Sequence, residues 1–242
     1  MVSTYIVKDS NIEKLNKLIE SSRYIVVITG AGISVSTGIM DFEKMNVLKV
    51  MQMTSKTVLK TAPKRYYKMA YETFLKPMFE NGPSLSHQKL ADLEKQGNIK
   101  GIITTNIDHL HTMAGSKNVA EIQGSFAINK CQKCGKMHND INIWNKGVVP
   151  RCDECGGIIG AFPIYSHIGL YDLDVLKART WVSNADLILI IGSNGSYGGA
   201  YFPYINPKAS IVQINPKATQ FDELSVINIY KNADEVLSKL TS

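Results

Sequence analysis

The chain is poor in cysteine and tryptophan and has no long hydrophobic run. Its four cysteines among 242 residues all fall between positions 131 and 155. They are too clustered to staple a fold, and a chain of this length buries enough apolar surface to need no disulfides. The longest apolar stretches are of strand length, which excludes a membrane-spanning helix. Met1 to Ser10 holds no apolar core of the kind a secretory leader carries. A cytoplasmic protein is therefore expected. Blocks of five or six like charges are absent too. Lys and Arg number 27 against 21 Asp and Glu, a net charge of +6. Those charges are spread along the chain, so neither nucleic acid nor a membrane is expected as a partner. No internal repeat or low-complexity tract is present.

What is present begins with Arg23 to Thr29, a run of β-branched apolar residues that reads as a strand buried on both faces. Gly30-Ala31-Gly32-Ile33-Ser34 follows, a turn whose glycines let the backbone approach a ligand closely, a phosphate cradle in form. The dinucleotide fingerprint would place a third glycine where Val35 stands, and no acidic residue ends a second strand at the expected distance. Alone, the motif also describes an ordinary tight turn.

Along the chain, Asn11 to Ser22 has helical apolar spacing, and Glu43 to Phe79, rich in Met, Lys and Tyr, reads as short helices broken by Pro63 and Pro77. Met45, Met51, Met53, Met69 and Met78 read there as core filling. Pro83-Ser84 opens a helix through Glu94. Strands are expected at Ile99 to Thr105, Val119 to Ile122, Asp186 to Ile191 and Ser210 to Ile214, with helices at Tyr171 to Asn184 and Ala233 to Leu240. Strands alternating with helices predict an α/β protein: a Rossmann-like parallel sheet with helices on both faces. Thr105-Asn106-Ile107-Asp108 falls at a strand's carboxyl end, where ligands lie in such sheets.

Between Ser125 and Pro163 the character changes. Cys131-x2-Cys134 is followed, after seventeen residues, by Cys152-x2-Cys155, each pair trailed by glycine. Two such knuckles offer four sulfurs to a tetrahedral zinc, and a thioredoxin-type redox motif would use one pair. With no coordination position left for water, the zinc is expected to be structural.

In order along nearly the whole chain, Gly30 to Ser34, Asp41-Phe42, Pro83 to Leu93, Thr104 to Asp108 with His109 to Gly115, the paired CxxC and Gly192-Ser193 resemble the sirtuin (Sir2) family. The resemblance implies consumption of NAD: nicotinamide leaves the ribose C1′ and an acceptor oxygen attacks that carbon. It divides the chain into an NAD-binding domain of residues 1–124 and 164–242, with a zinc-binding module of residues 125–163 inserted. It implies that Ala31 and Gly32 cradle the pyrophosphate, with Gly30 and Ser34 also binding the cofactor, and that Asp41 and Phe42 border the nicotinamide ribose. Thr105, Asn106, Ile107 and Asp108 would face the ribose and nicotinamide, Asn106 ordering ribose and water. Gly192, Ser193, Asn194, Asn215, Asn232 and Ala233 would line the adenosine half.

Three departures follow from that comparison. Glu43 stands where the family has arginine, the substrate-side run Pro163 to Leu170 differs, and Gln123 stands where deacylases of the family carry histidine. A carboxamide cannot take a proton from a ribose hydroxyl as an imidazole can. On Gln123 rests the expectation of an ADP-ribosyltransferase, with catalytic Asn106 and Gln123 passing ADP-ribose to a protein acceptor. Deacylation of lysine and a silent NAD-binding sensor are the alternatives. His87, His109, His111 and His167 are the imidazoles at hand, and His167, in the substrate-side run, is the better substitute base. His109 and His111 are expected to be structural or solvent-facing.

Overall fold

The computed structural model describes residues 10–39, 46–53, 55–145, 148–161, 170–195 and 198–241. Its frame is a six-stranded parallel sheet built from β1 (Ile25–Thr29), β2 (Ile99–Thr104), β3 (Val119–Glu121), β7 (Leu187–Ile191), β8 (Ser210–Ile214) and β9 (Ile227–Ile229), in the order β3-β2-β1-β7-β8-β9. This is the doubly wound order, with its reversal between β1 and β7. β1 and β7 are buried at every position, as the unbroken apolar runs dictate for central strands covered on both faces.

One face packs α1 (Ser10–Ser21), α6 (Leu85–Lys95) and α9 (Ala233–Leu237), whose Leu15, Leu90, Leu93 and Val236 meet Ile25, Val27, Leu189 and Ile214. The other face is covered by α8 (Asp172–Asn184) and the loop aromatics Tyr201 and Phe221, against Val26, Ile28, Ile103 and Ile190. α6 is started by a reciprocal capping box: Ser84 and His87 satisfy each other's backbone N–H groups.

A helical layer, α2 (Val47–Met53), α3 (Lys56–Thr61), α4 (Pro63–Ala70) and α5 (Lys76–Asn81), joins the sheet to a second, three-stranded antiparallel sheet in the order β5-β4-β6. Its strands are β4 (Asn129–Cys131), β5 (Met137–His138) and β6 (Ile159–Ala161). Tyr67 and Phe74 of the helical layer meet Trp144 and Phe126 at ring-centroid distances of 4.9 and 6.1 Å. Met53 and Met78 are buried there as expected, whereas Met51 faces outward and Met45 lies outside the described residues.

The α/β architecture thus follows the sequence pattern. The differences are short elements: β9, β4, β5 and β6 span two or three residues each, too few to establish alternation. The fragment after Gly30 is a single 3₁₀ helix, Ala31–Thr37, closed by Gly38 in the left-handed region at φ 79°.

Candidate functional site

The strand order reverses between β1 and β7, and there the two glycine turns meet. A Cβ on Gly30 would lie 2.8 Å from the Gly192 carbonyl oxygen, and one on Gly32 would lie 2.6 Å from Gly192 Cα. Gly192 itself has φ +60°. Gly32 N–H donates to Gly192 O at 2.9 Å, and Ile33 N–H to Gly30 O at 3.1 Å. The first demand on these glycines is therefore backbone against backbone. Ser193 and Asn215 continue the edge, Asn215 Nδ2 donating to Ser193 O at 3.1 Å. Asn194 is exposed, and its carbonyl accepts from Gln220 Nε2 at 2.7 Å. Asn232 caps the start of α9 by position only, and Ala233 is buried in the core.

At their carboxyl ends the strands align in one rung, with Glu121 paired to Thr104, Thr104 to Thr29, Thr29 to Ile191 and Ile191 to Ile214. Residues paired across a parallel sheet share a face. Ile191 and Ile214 belong to the core beneath α9, so Thr29, Thr104 and Glu121 put polar groups where that core would otherwise continue. A buried network grows from them. Ser34 Oγ donates to Asp108 Oδ2 at 2.7 Å, and Asn106 Nδ2 donates to Ser34 Oγ at 3.1 Å and Gly30 O at 3.2 Å. Asp108 Oδ1 accepts from Leu110 N–H, Asn106 N–H donates to Thr104 Oγ1, and Thr105 N–H to Thr29 O. Ile107 packs with the helical layer.

Burial pushes the Asp108 carboxyl up, against the opposing pull of His87 and the Ser34 hydrogen bond. His87 and His111 face each other at 4.6 Å between ring centroids, and burial holds both imidazoles below the usual histidine range. His111 Nε2 meets Thr29 Oγ1 at 2.9 Å, while His87 Nε2 and His111 Nδ1 are buried without a partner among the described residues. His111 is thus fully interior. His109 is the one non-glycine residue with positive φ among the described residues, at 61°, and its Nδ1 meets Glu121 Oε1 at 2.8 Å. Sequence reasoning passed over Thr29 and Glu121 as site residues, while His87 was named only as one of the imidazoles at hand. The available signal was a polar residue at the last position of β1, β2 and β3: Thr29, Thr104 and Glu121.

Gln123 sits just past β3, in the turn closed by Gly124 N–H to Glu121 O at 2.7 Å. Its Nε2 is buried and has no hydrogen-bond partner among the described residues. A buried amide donor left open in this way costs free energy until an acceptor fills it, so the side chain is a candidate ligand contact. Asp41, Phe42, Glu43 and His167 lie outside the described residues, as does most of the run from Pro163.

The four cysteines converge as their spacing requires. All four Sγ atoms lie within 4.8 Å of one another, with Cys131 to Cys155 at 3.5 Å and Cys134 to Cys152 at 3.7 Å. A tetrahedral shell with Zn–S of about 2.3 Å sets its sulfurs about 3.8 Å apart, so the set fits zinc. Gly135 and Gly156 turn each knuckle at φ 79° and 67°.

The sequence model of the Sir2 family matches residues 30–197. A protein of Clostridium perfringens named NAD-dependent protein deacetylase is 33% identical, over 96% of this chain and 99% of that one. A Pyrococcus furiosus protein named NAD-dependent protein deacylase is 32% identical, over 94% and 95%. Among solved structures, Sir2Tm bound to a propionylated peptide superposes with TM-score 0.79 at 30% identity, covering 94% of this chain and 96% of that one. A Sir2 homolog–NAD complex gives TM-score 0.81 at 28% identity, covering 94% and 91%. These findings overturn the expectation of ADP-ribosyl transfer, because the end-to-end relatives carry deacetylase and deacylase names. The physical reason is one of weight: the transferase expectation rested on the side chain of Gln123, whereas a site is made by its whole set of positions.

Proposed function

The chain belongs to the Sir2 family, and on that premise we propose that it is an NAD-dependent protein deacylase acting on short acyl groups of lysine, acetyl among them. The observation that carries this reading is the similarity, over almost the full length of both chains, to proteins named deacetylases and deacylases. Its partner is then a protein presenting an acyl-lysine, in keeping with solved relatives bound to acetylated and propionylated peptides.

NAD, as the consumed co-substrate, supplies the ribose–nicotinamide bond that breaks and the ribose hydroxyls that receive the acyl group. In this reading Ala31 and Gly32 hold the pyrophosphate, and the open Ala31 N–H, which has no partner among the described residues, faces it. The lattice of Asn106, Ser34 and Asp108 fixes two polar side chains in one orientation before substrate arrives. Asp108 then takes the nicotinamide amide. Ser193, Asn215 and Asn232 line the adenosine half. Gln123, whose amide nitrogen lacks a partner among the described residues, donates to a ribose or acyl oxygen and orients it. A carboxamide withdraws no proton, so hydroxyl activation runs without the strong general base of histidine-bearing relatives. Zinc held by Cys131, Cys134, Cys152 and Cys155 is structural.

Mass spectrometry of products from NAD and an acetyl-lysine peptide tests the reading. Expected are nicotinamide, deacetylated peptide and acyl-ADP-ribose in equal amounts. Nicotinamide release with the peptide left acylated would refute deacylation.

A further inference from the structure

One imidazole joins the two segments that frame the site. His109 directly follows Asp108, and its Nδ1 lies 2.8 Å from Oε1 of Glu121, two residues before Gln123. A carboxylate only accepts, so Nδ1 is the donor of this bond. The two side chains are 19% and 8% exposed, which leaves the bond largely withdrawn from water. Glu121 is itself a fixed post. Its N–H donates to Asp174 Oδ2 at 2.9 Å, and the next carbonyl, that of Ile122, accepts from Tyr171 N–H at 2.6 Å, both at the start of α8.

The reach to Glu121 goes with an unusual backbone. His109 has φ 61°, a left-handed value uncommon outside glycine, where the chain turns from Asp108 into α7 (Leu110–Met113). Rotation about that bond carries the Leu110 N–H, which donates to Asp108 Oδ1 at 3.1 Å. The left-handed turn therefore sets one of the hydrogen bonds that aim the Asp108 carboxylate, alongside the one from Ser34. Two backbone bonds tie the same segments on either side of Gln123: Ile122 N–H to Thr104 O at 3.2 Å and Phe126 N–H to Ile107 O at 3.0 Å. The His109–Glu121 bond adds a side-chain tie next to Asp108 itself.

We propose that His109 is a positioning residue for nicotinamide release: tied to Glu121, its ring holds the left-handed turn and with it the aim of the Asp108 carboxylate relative to the turn that carries Gln123. The inference rests on the deacylase reading, in which Asp108 takes the nicotinamide amide. His109 acts through Asp108 rather than on the substrate.

The test uses the full chain with NAD and an acetyl-lysine peptide, comparing wild type, His109→Gly and His109→Asn. Glycine takes the left-handed conformation freely and removes the tie. Asparagine tolerates that conformation and keeps an amide N–H where Nδ1 stands. Relief of the backbone offsets the lost bond, so His109→Gly is expected to melt near wild type. Its kcat for nicotinamide release is expected to fall by about 10–100-fold, since a misplacement of about 1 Å costs on the order of 10² in rate. KM for the peptide is expected to stay unchanged, and His109→Asn to recover most of the loss. A wild-type kcat in His109→Gly overturns the proposal, as does a loss that follows only the unfolded fraction, or one that His109→Asn shares in full. Wild type that releases no nicotinamide refutes the deacylase reading instead, and amide hydrogen exchange then judges the tie by itself. Faster exchange of the Gly124 and Phe126 N–H groups in His109→Gly than in wild type is expected, and equal rates overturn it.

Discussion

Acid should loosen this protein through the histidine pair beneath its site, and His111 permits the cleanest measurement. Its ring is buried against His87 and Thr29, and burial, then the neighbouring His87, holds its pKa well below the ordinary 6.5. The sign follows from linkage. A depressed folded-state pKa means that the unfolded chain takes up a proton first as pH falls, so the stability is fully present above the unfolded value and is lost below it. With the folded ring still neutral at pH 5.5, the loss relative to pH 7.5 is about 1.4 kcal/mol for one such histidine. His87 shifts the same way through burial, but Asp108 and Asp234 pull it back, so the pair is bounded at about 2.8 kcal/mol. Asp108 acts in the opposite sense, its raised carboxyl adding stability as pH falls through the folded value, and it is present in both proteins compared. The assay is urea unfolding of wild type and His111→Gln at pH 7.5 and 5.5. The variant, less stable at neutral pH, should lose about 1.4 kcal/mol less than wild type between the two. Equal losses in the two proteins would refute the assignment of a buried neutral imidazole.

Gln123→His should raise the rate of peptide deacylation, by up to the roughly 10²–10⁴-fold that general-base assistance supplies, with nicotinamide release changing far less; unchanged deacylation in a folded variant with intact NAD binding would remove Gln123 from the reacting centre. Gly32→Ala places a Cβ 2.6 Å from Gly192 Cα, so thermal unfolding should show a loss of about 1–3 kcal/mol even without NAD. A variant of wild-type stability would mean that the two turns part freely. Stripping zinc with a chelator should disorder β4 to β6. Trp144, whose Nε1 donates to Asn129 Oδ1 at 3.0 Å, reports this in fluorescence, with Trp181→Phe removing the other indole, and an unmoved emission in zinc-free protein would count against a structural metal.

The parts of this protein legible in its sequence are those set by near neighbours. Unbroken β-branched runs make β1 and β7, the Ser84–His87 pair starts α6, and CxxC spacing fixes which sulfurs share a knuckle. Fold class and cysteine cluster followed from these local rules. The short strands β4, β5, β6 and β9 did not, since two or three residues earn their pairing from a partner strand. Function was misweighted for a related reason: Gln123 is one side chain, and its consequence depends on what surrounds it.

Tertiary structure alone decided the rest. It set Gly30 and Gly32 against Gly192 across more than 150 residues of chain, aligned Thr29, Thr104 and Glu121 in one rung, and buried His111 against His87. It also brought His138 beside Cys152. Each is a contact between segments whose separate sequences carry no record of the other, because strand register and burial are properties of the assembled sheet. Composition and periodicity determine which residues leave water; packing determines which of them meet.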